Sequence, residues 1–560
     1  MPTMLRRGFL CVLALTLACG DDDVDPPVDA GDPPVDAGAD ASEPDAGRDA
    51  GAGIDAGPPI TGCELIEGEL PPWPTEGDFD PPAPDAFPPL AGPGGPRASF
   101  GADALHEPCA YLDGGETDRD HHNTVLMLDG YLWMPFAHEA GVGGIRAFAF
   151  DEPCAPEVIG TGTDPQMRET HAAGVATIDG RRWMAVASLG GIQLWDITDP
   201  TAMRMASDLA LPDVTYPNSY LRVVMSLFWQ APYVYVSAAT LGVYVVDASD
   251  PENPELVAHH VPSPALESGN LHAIGTRLVL TPSEGIQNHV FDVSDPTTLR
   301  PVPGGSFLVT DGTMRGGRPQ VILSYFGHVS GTMALYARHV LGGGLVLFDL
   351  SDWNEPRHLG NWTSTRDGAN GGYVFVQNET AFVGLSSHAA IVDISDPTMP
   401  TPIAELELQG DFDTVVPVGN VIVGSVDDDA TPDQASAVFP WQSEPDTRAP
   451  VVSRVVPEDG ASGVALGARI GLALDEPMEL ATVHPGSFFV RPIDDDGRAL
   501  APPIEGLYSG QEGITNFTPR EPLRPGTRYE VVVPANGMRD ASGNPVATTF
   551  RTTFETARCD

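Results

Sequence analysis

The sequence predicts an all-β protein: a β-propeller of seven blades, or six on a stricter count, then a small β-sandwich, with a disordered N-terminal stalk in front. Three observations carry that prediction. A phrase of alternating apolar residues that closes on acid and proline recurs with a period of about 45 residues, the size of a four-stranded blade. The 61 Gly and 56 Pro, set against an aromatic content of 7%, describe turn-rich β structure with linkers. Residues 20–59 lack the apolar bulk that a core requires.

Charge narrows the function classes. The 560 residues hold 78 Asp plus Glu against 29 Arg, and no Lys, for a formal charge of −49. Such a field repels polyanions, so no nucleic-acid partner is expected. The length allows two to four domains.

Residues 1–18 read as a signal peptide, because Arg6 and Arg7 precede an apolar run, Phe9 to Ala18, that is too short for a bilayer core needing about 20 residues. Leu15-Thr16-Leu17-Ala18-Cys19 resembles the lipobox of bacterial lipoproteins, departing from it at Thr16, where that family prefers Leu. The resemblance implies that Cys19 is acylated and becomes the mature N-terminus. It implies an exported, lipid-anchored envelope protein, at the outer membrane or cell surface, that reaches the membrane through its lipid; plain cleavage after Ala18 is the alternative. Arg6-Arg7-Gly8-Phe9-Leu10 resembles the twin-arginine export signal, although a Lys-free chain has only Arg for that region.

Residues 19–60 repeat Asp-Ala-Gly and Asp-Pro-Pro-Val units, which repel one another and bury nothing, so a disordered acidic linker is expected. Residues 61–108 are rich in proline, with ten between Pro71 and Pro96, and favour extended geometry at about 3 Å per residue. Together the two segments predict a stalk. Val223 to Val246 is uncharged, but Gln230, Pro232, Gly242 and the alternation Tyr233-Val234-Tyr235-Val236 indicate two buried strands and a turn, not a membrane helix.

The recurring phrase reads Gly191-Ile-Gln-Leu-Trp-Asp196-Ile-Thr-Asp199-Pro200, Gly242-Val-Tyr-Val-Val-Asp247-Ala-Ser-Asp250-Pro251, Val290-Phe-Asp292-Val-Ser-Asp295-Pro296, Gly344-Leu-Val-Leu-Phe-Asp349-Leu-Ser-Asp352 and Ala390-Ile-Val-Asp393-Ile-Ser-Asp396-Pro397. A worn copy precedes them at Gly144 to Pro153. Counted from Ala149 and then the first Asp of each copy, the spacings are 47, 51, 45, 57 and 44. Apolar alternation suits a buried strand, the acids accept turn amides, and Pro ends the ladder, so these acids are read as structural. A hairpin signal precedes the phrases, as in Val125-Leu-Met-Leu-Asp129-Gly130 and Val175-Ala-Thr-Ile-Asp179-Gly180, and a last hairpin stands at Val415 to Gly424. This makes seven units over residues 109–441, with irregularities in blades four and five that either hide an inserted loop or put the count at six. The pattern resembles the LVIVD repeat family of bacterial exported proteins, which implies a β-propeller.

Over residues 449–557 the landmarks Leu474-Asp-Glu-Pro477-Met478, Phe517-Thr-Pro519, Leu523-Arg-Pro525-Gly526 and Asp540-Ala-Ser-Gly543-Asn544-Pro545 resemble a bacterial Ig-like domain, implying a sandwich that spaces or presents its neighbour. Cys109 and Cys154 both follow Glu-Pro at the edges of the first blade and are paired on that ground, leaving Cys63 with Cys559 by remainder. No Cys-x-x-Cys is present, so neither a zinc knuckle nor a redox dithiol is expected.

Enzyme motifs are near misses: His138-Glu139 lacks a second zinc-ligand His, and Gly384-Leu-Ser-Ser-His388 is not a nucleophile elbow. No catalytic residue, metal ligand or cofactor is assigned. One constellation stands before the innermost strands: Asp120, His121 and His122 for blade one, Arg168, Glu169 and His171 for blade two, Asn270 for blade four, Arg366 and Asp367 for blade six, and Asp413 for blade seven. If these segments enter strands around a central channel, they converge on one mouth and would bind a polar ligand or a metal; the plainer reading is a wet channel lining. The leading functional expectation is a non-enzymatic surface module for adhesion, scaffolding or capture of a protein or glycan partner. A propeller hydrolase or metal-dependent enzyme at the channel mouth is the rival, and an envelope assembly factor the third reading.

Overall fold

Each Asp-bearing phrase is the third strand of an antiparallel four-stranded blade together with the tight turn that follows it. In the five full copies the first acid accepts the amide of Thr198, Ser249, Ser294, Ser351 or Ser395, and the second that of Thr201, Glu252, Thr297, Asn354 or Thr398, at 2.8–3.2 Å. Two successive carboxylate-capped turns thus reverse the chain toward the outer strand. The computed structural model describes residues 61–66, 68–77, 79–112, 124–137, 143–216, 220–339 and 342–559. The signal peptide, Cys19, the 19–60 linker, Asp120, His121, His122 and His138-Glu139 lie outside the described residues.

Seven blades follow in order, over residues 126–164, 174–210, 226–260, 268–308, 324–363, 374–406 and 412–440. Blade 7 has only three strands of its own, and its fourth is Ala110–Tyr111, paired with Ser436–Pro440. The ring is closed by a strand from before blade 1. The Cys109–Cys154 disulfide, with Cα atoms 5.1 Å apart, ties that closing strand to the turn after the third strand of blade 1. The long spacing between blades 4 and 5 comes from an added hairpin, Thr310–Arg315 with Arg318–Val321, so the irregularity is an insertion and the count is seven.

The inner strands start at one end of the channel, the front mouth, and finish at the other, the back mouth. The sandwich occupies the back mouth. Its strand Gly506–Gln511 pairs antiparallel with the inner strand of blade 2, Gly174–Ile178, so that one eight-stranded sheet runs from sandwich into propeller. One apolar core is shared as well, from Trp133, Met184 and Trp195 in blades 1 and 2 to Phe488, Phe517 and Tyr529 in the sandwich.

Residues 61–108 correct the expectation of a stalk. Cys63 is bonded to Cys559, Arg524 lies 3.8 Å over the Trp73 ring, and Phe87 stacks on His484 at 3.7 Å. Further on, the amides of Gly92 and Gly94 donate to the carbonyls of Asp129 and Gly130, and those of Phe100 and His106 to Ser443 and Pro440. The prolines keep the segment extended, as read, but it is a strap laid across sandwich and propeller. Its carbonyls and amides find partners there that solvent would otherwise supply. The approach at Gly92 demands glycine, because a Cβ there would lie 2.4 Å from the Gly130 carbonyl oxygen.

Candidate functional site

The channel is packed with side chains. Val125, Met127, Met225, Phe326, Tyr373, Phe375, Val416 and Val418 of the inner strands and their approaches form one buried cluster. This corrects the expected wet lining: along the middle of the channel, inner-strand side chains of blades 1, 6 and 7 are apolar and pack together.

At the front mouth the structure brings together Arg168, Glu169 and His171. The Arg168 guanidinium donates to the Val224 carbonyl at 3.1 Å and to Glu169 at 3.3 Å, and lies 4.8 Å over the Tyr216 ring. His171 has Glu169 at Nε2 and the Met225 carbonyl 2.6 Å from Nδ1, with Phe326 and Tyr373 against its ring. All three residues are buried. Asp413 is buried nearby, where its carboxylate accepts from Thr414 and its carbonyl from the Tyr373 amide.

Three members of the predicted set are elsewhere. Asn270 accepts from Ser226 at 2.6 Å and donates to the Gly327 carbonyl at 3.2 Å, a tie between blades 3, 4 and 5 inside the wall. Arg366 turns outward to Glu405 and Glu407 at 3.2 and 2.9 Å, and Asp367 is exposed. In an acidic chain an arginine on the approach to blade 6 is drawn to the carboxylates of that blade's outer edge, so sequence position alone misplaced it.

The back mouth holds a group that the sequence reading missed. His272 and His328, on the inner strands of blades 4 and 5, face Glu512 at the tip of the sandwich hairpin between Gly506–Gln511 and Ile514–Pro519. Glu512 Oε2 lies 3.0 Å from His328 Nδ1 and 4.0 Å from His272 Nε2. Burial pushes His272 down to about 3, keeping it neutral. Burial works to raise the Glu512 carboxyl, but His328 and His272 outweigh it and hold it below the usual carboxylate value. Beside the group is a cavity of about 20 Å³ lined by His328, Glu512, Phe375, Met127 and Met478, room for about one water.

A second group, Asp446, Glu476 and Asp540, gathers where the chain passes from propeller to sandwich. Burial raises Glu476 to about 10 and Asp540 to about 7, with the neighbouring acids adding to it. Among the described residues these are the two side-chain clusters whose atoms converge closely enough to hold a metal ion.

Family comparison adds to this geometry. A bacterial Ig-like domain model matches residues 446–556, and the LVIVD repeat model matches 229–260 and 370–405, which are blades 3 and 6. The chain joins LVIVD repeats to a bacterial Ig-like domain. Among solved structures it is similar to the periplasmic gluconolactonase of Pseudomonas aeruginosa, at 15% identity over 51% of this chain and 85% of that one, with a TM-score of 0.41. It is also similar to a protein from Lactobacillus plantarum, at 11% identity over 57% and 88% with a TM-score of 0.40, and to the computationally designed Ika8 protein, at 11% over 60% and 99% with a TM-score of 0.38. Likenesses this slight bring no activity to this chain. No curated protein matches it.

The Ig-like domain and the two disulfides are typical of extracellular bacterial proteins, which makes this a surface or extracellular module. Among the described residues no helix is long and apolar enough to cross a membrane.

Proposed function

We propose that this protein is a lipid-tethered, non-enzymatic binding or scaffold module of the bacterial envelope, in which the LVIVD propeller and the Ig-like domain form one rigid head. The observation that carries the reading is the channel: side chains fill it, the Ig-like domain seals its back mouth, and the cavity left beside that seal measures about 20 Å³. A substrate site in the channel would need a pocket of hundreds of Å³; clefts of that size, about 590 and 790 Å³, lie outside it along the sandwich. The head then offers partners its outer faces and the rim of its front mouth, beneath which Arg168, Glu169 and His171 are buried. The acylated residue in this reading is Cys19.

Two measurements test it. The Cys19→Ala chain is expected to appear in the soluble fraction and to lose labelling by a fatty-acid analogue, while the natural chain stays with membranes; equal labelling of both removes the tether. The soluble variant is expected to bind bacterial envelopes saturably and to turn over none of a panel of lactone, ester, glycoside and phosphate substrates. Turnover that disappears in His171→Ala would make the front mouth an active site and overturn the reading.

A further inference from the structure

We propose that His272, His328 and Glu512 bind one divalent transition-metal ion of the zinc class, which latches the Ig-like hairpin into the back mouth of the propeller. The first support is positional. All seven inner strands enter the next strand through a two-residue turn, and the third residue before each turn is Leu126, Ala176, Phe228, His272, His328, Phe375 or Val416. Five blades fill the slot with an apolar side chain. Histidine is therefore not what the fold requires there, yet it stands in two adjacent blades, and the sandwich places its Glu512 carboxylate against both.

The second support is the geometry. The three ligand atoms lie within 4.8 Å of one another. Around a tetrahedral zinc, with bonds of about 2.0–2.2 Å, ligand atoms stand about 3.4 Å apart. The observed 3.0 and 4.0 Å bracket that value. Glu512 Oε2 sits at ion-pair distance from His328 Nδ1, yet that nitrogen has no hydrogen bond of acceptable angle. The two atoms are close without pointing at each other, as two ligands of one ion are. The one hydrogen bond at His272 Nε2 is a long one from the Val329 amide, at 3.4 Å, which an ion would displace.

Chemistry agrees with position. Two nitrogens and one oxygen suit zinc and its first-row neighbours better than calcium or magnesium. The adjoining cavity has room for the one water that would complete four ligands. Phe375, Met127 and Met478 close the surroundings, so the ion would fasten two domains and would not meet substrate.

The test uses the full chain, stripped with chelator, reloaded with zinc and dialysed. Elemental analysis is expected to find one zinc per chain, and zinc to raise Tm by several degrees. Because Phe occupies the same slot in blades 3 and 6, the His272→Phe, His328→Phe variant should fold with both disulfides intact. It is expected to retain less than a tenth of the zinc and to lose the Tm response. Glu512→Gln should weaken zinc binding at least tenfold. A folded natural chain that takes up no zinc overturns the proposal, and so does a histidine variant that binds zinc as well as the natural chain.

Discussion

At Asp295 the carboxylate accepts the Thr297 amide at 3.0 Å and the hydroxyls of Thr297 and Thr298 at 2.8 and 2.9 Å. Burial works to raise this carboxyl, but those donors outweigh it and its affinity for a proton falls. Asp196 follows the same balance with Thr198 and Arg181. Asp199 is lowered by the Thr201 hydroxyl and amide, and Asp352 and Asp393 by the amides of Asn354 and Ser395. Carboxylates that ionise more readily in the folded than in the unfolded chain stabilise fully above the unfolded value near 3.9 and lose that contribution as pH falls through the lower folded values. Urea midpoints should therefore drop between pH 4 and pH 2.5. Asp295→Ala, which removes the acceptor, is expected to cost about 1 kcal/mol at pH 7. Asp295→Asn keeps an acceptor oxygen and should cost less at pH 7 while flattening the acid dependence. Equal midpoints for the two variants at both pH values would show that the turn does not depend on this carboxylate.

At the scale of elements, ring closure rests on a strand of two residues, Ala110–Tyr111, backed by the Cys109 and Leu112 amides on the carbonyls of Val438 and Ser436. So short a strand needs its staple. Replacing Cys109 and Cys154 with Ser is expected to cost about 2–4 kcal/mol, read as a lower urea midpoint and as earlier proteolysis around residue 110. A second element-level device is Glu479, a sandwich carboxylate buried against blade 1. It accepts the amides of Asp129 at 2.6 Å, Gly130 at 3.0 Å and Ala481 at 3.1 Å. Glu479→Ala leaves three amides without an acceptor and should cost on the order of 3 kcal/mol, measured by urea unfolding. The elements also show what the sequence made legible. The third strands were plain because alternating Val, Leu and Ile end there in a repeated acid turn, and the hairpins because Asp129-Gly130 and Asp179-Gly180 take the left-handed conformations such turns require. The fourth strands were silent: Arg204–Ala210 and Glu255–His260 are half exposed and carry little apolar signal. The closing strand was silent too, since two residues hold no periodicity. Of the proposed site, Arg168, Glu169 and His171 do meet, because one short approach segment carries them. Glu512 could not be foreseen beside His328, as 184 residues and a domain boundary separate them. The usable signal was the pair His272 and His328, each three residues before its turn glycine, at Gly275 and Gly331.

At the scale of the whole molecule, the propeller and the Ig-like domain are two architectures with one core. The sheet that crosses from Gly506–Gln511 into Gly174–Ile178 has no independent edge on either side. Around it, Asn516 accepts the Gly275 amide at 2.8 Å and the Gln230 amide group at 2.9 Å, and Arg469 donates to Gln230 at 2.5 Å from full burial. Arg454 lies 3.7 Å over the Trp353 ring and donates to the Leu350 carbonyl. Removing the sandwich would expose the back ends of the inner strands, including Met127, Val329 and Val416, and would leave buried amides and carbonyls of blades 2, 3 and 4 without partners. Such groups cost more than a solvated surface can return. Calorimetry of the full chain should accordingly show one transition, with calorimetric and van't Hoff enthalpies in agreement, where loosely linked domains would show two. The strap adds to this coupling, since Cys63–Cys559 joins the two ends of the head across a sequence separation of 496 residues. A chain ended at residue 445 should not give a soluble monomer with its own sharp transition. If it does, the shared core is a contact between two independent domains, and a rigid head is no longer the right basis for binding at the cell surface.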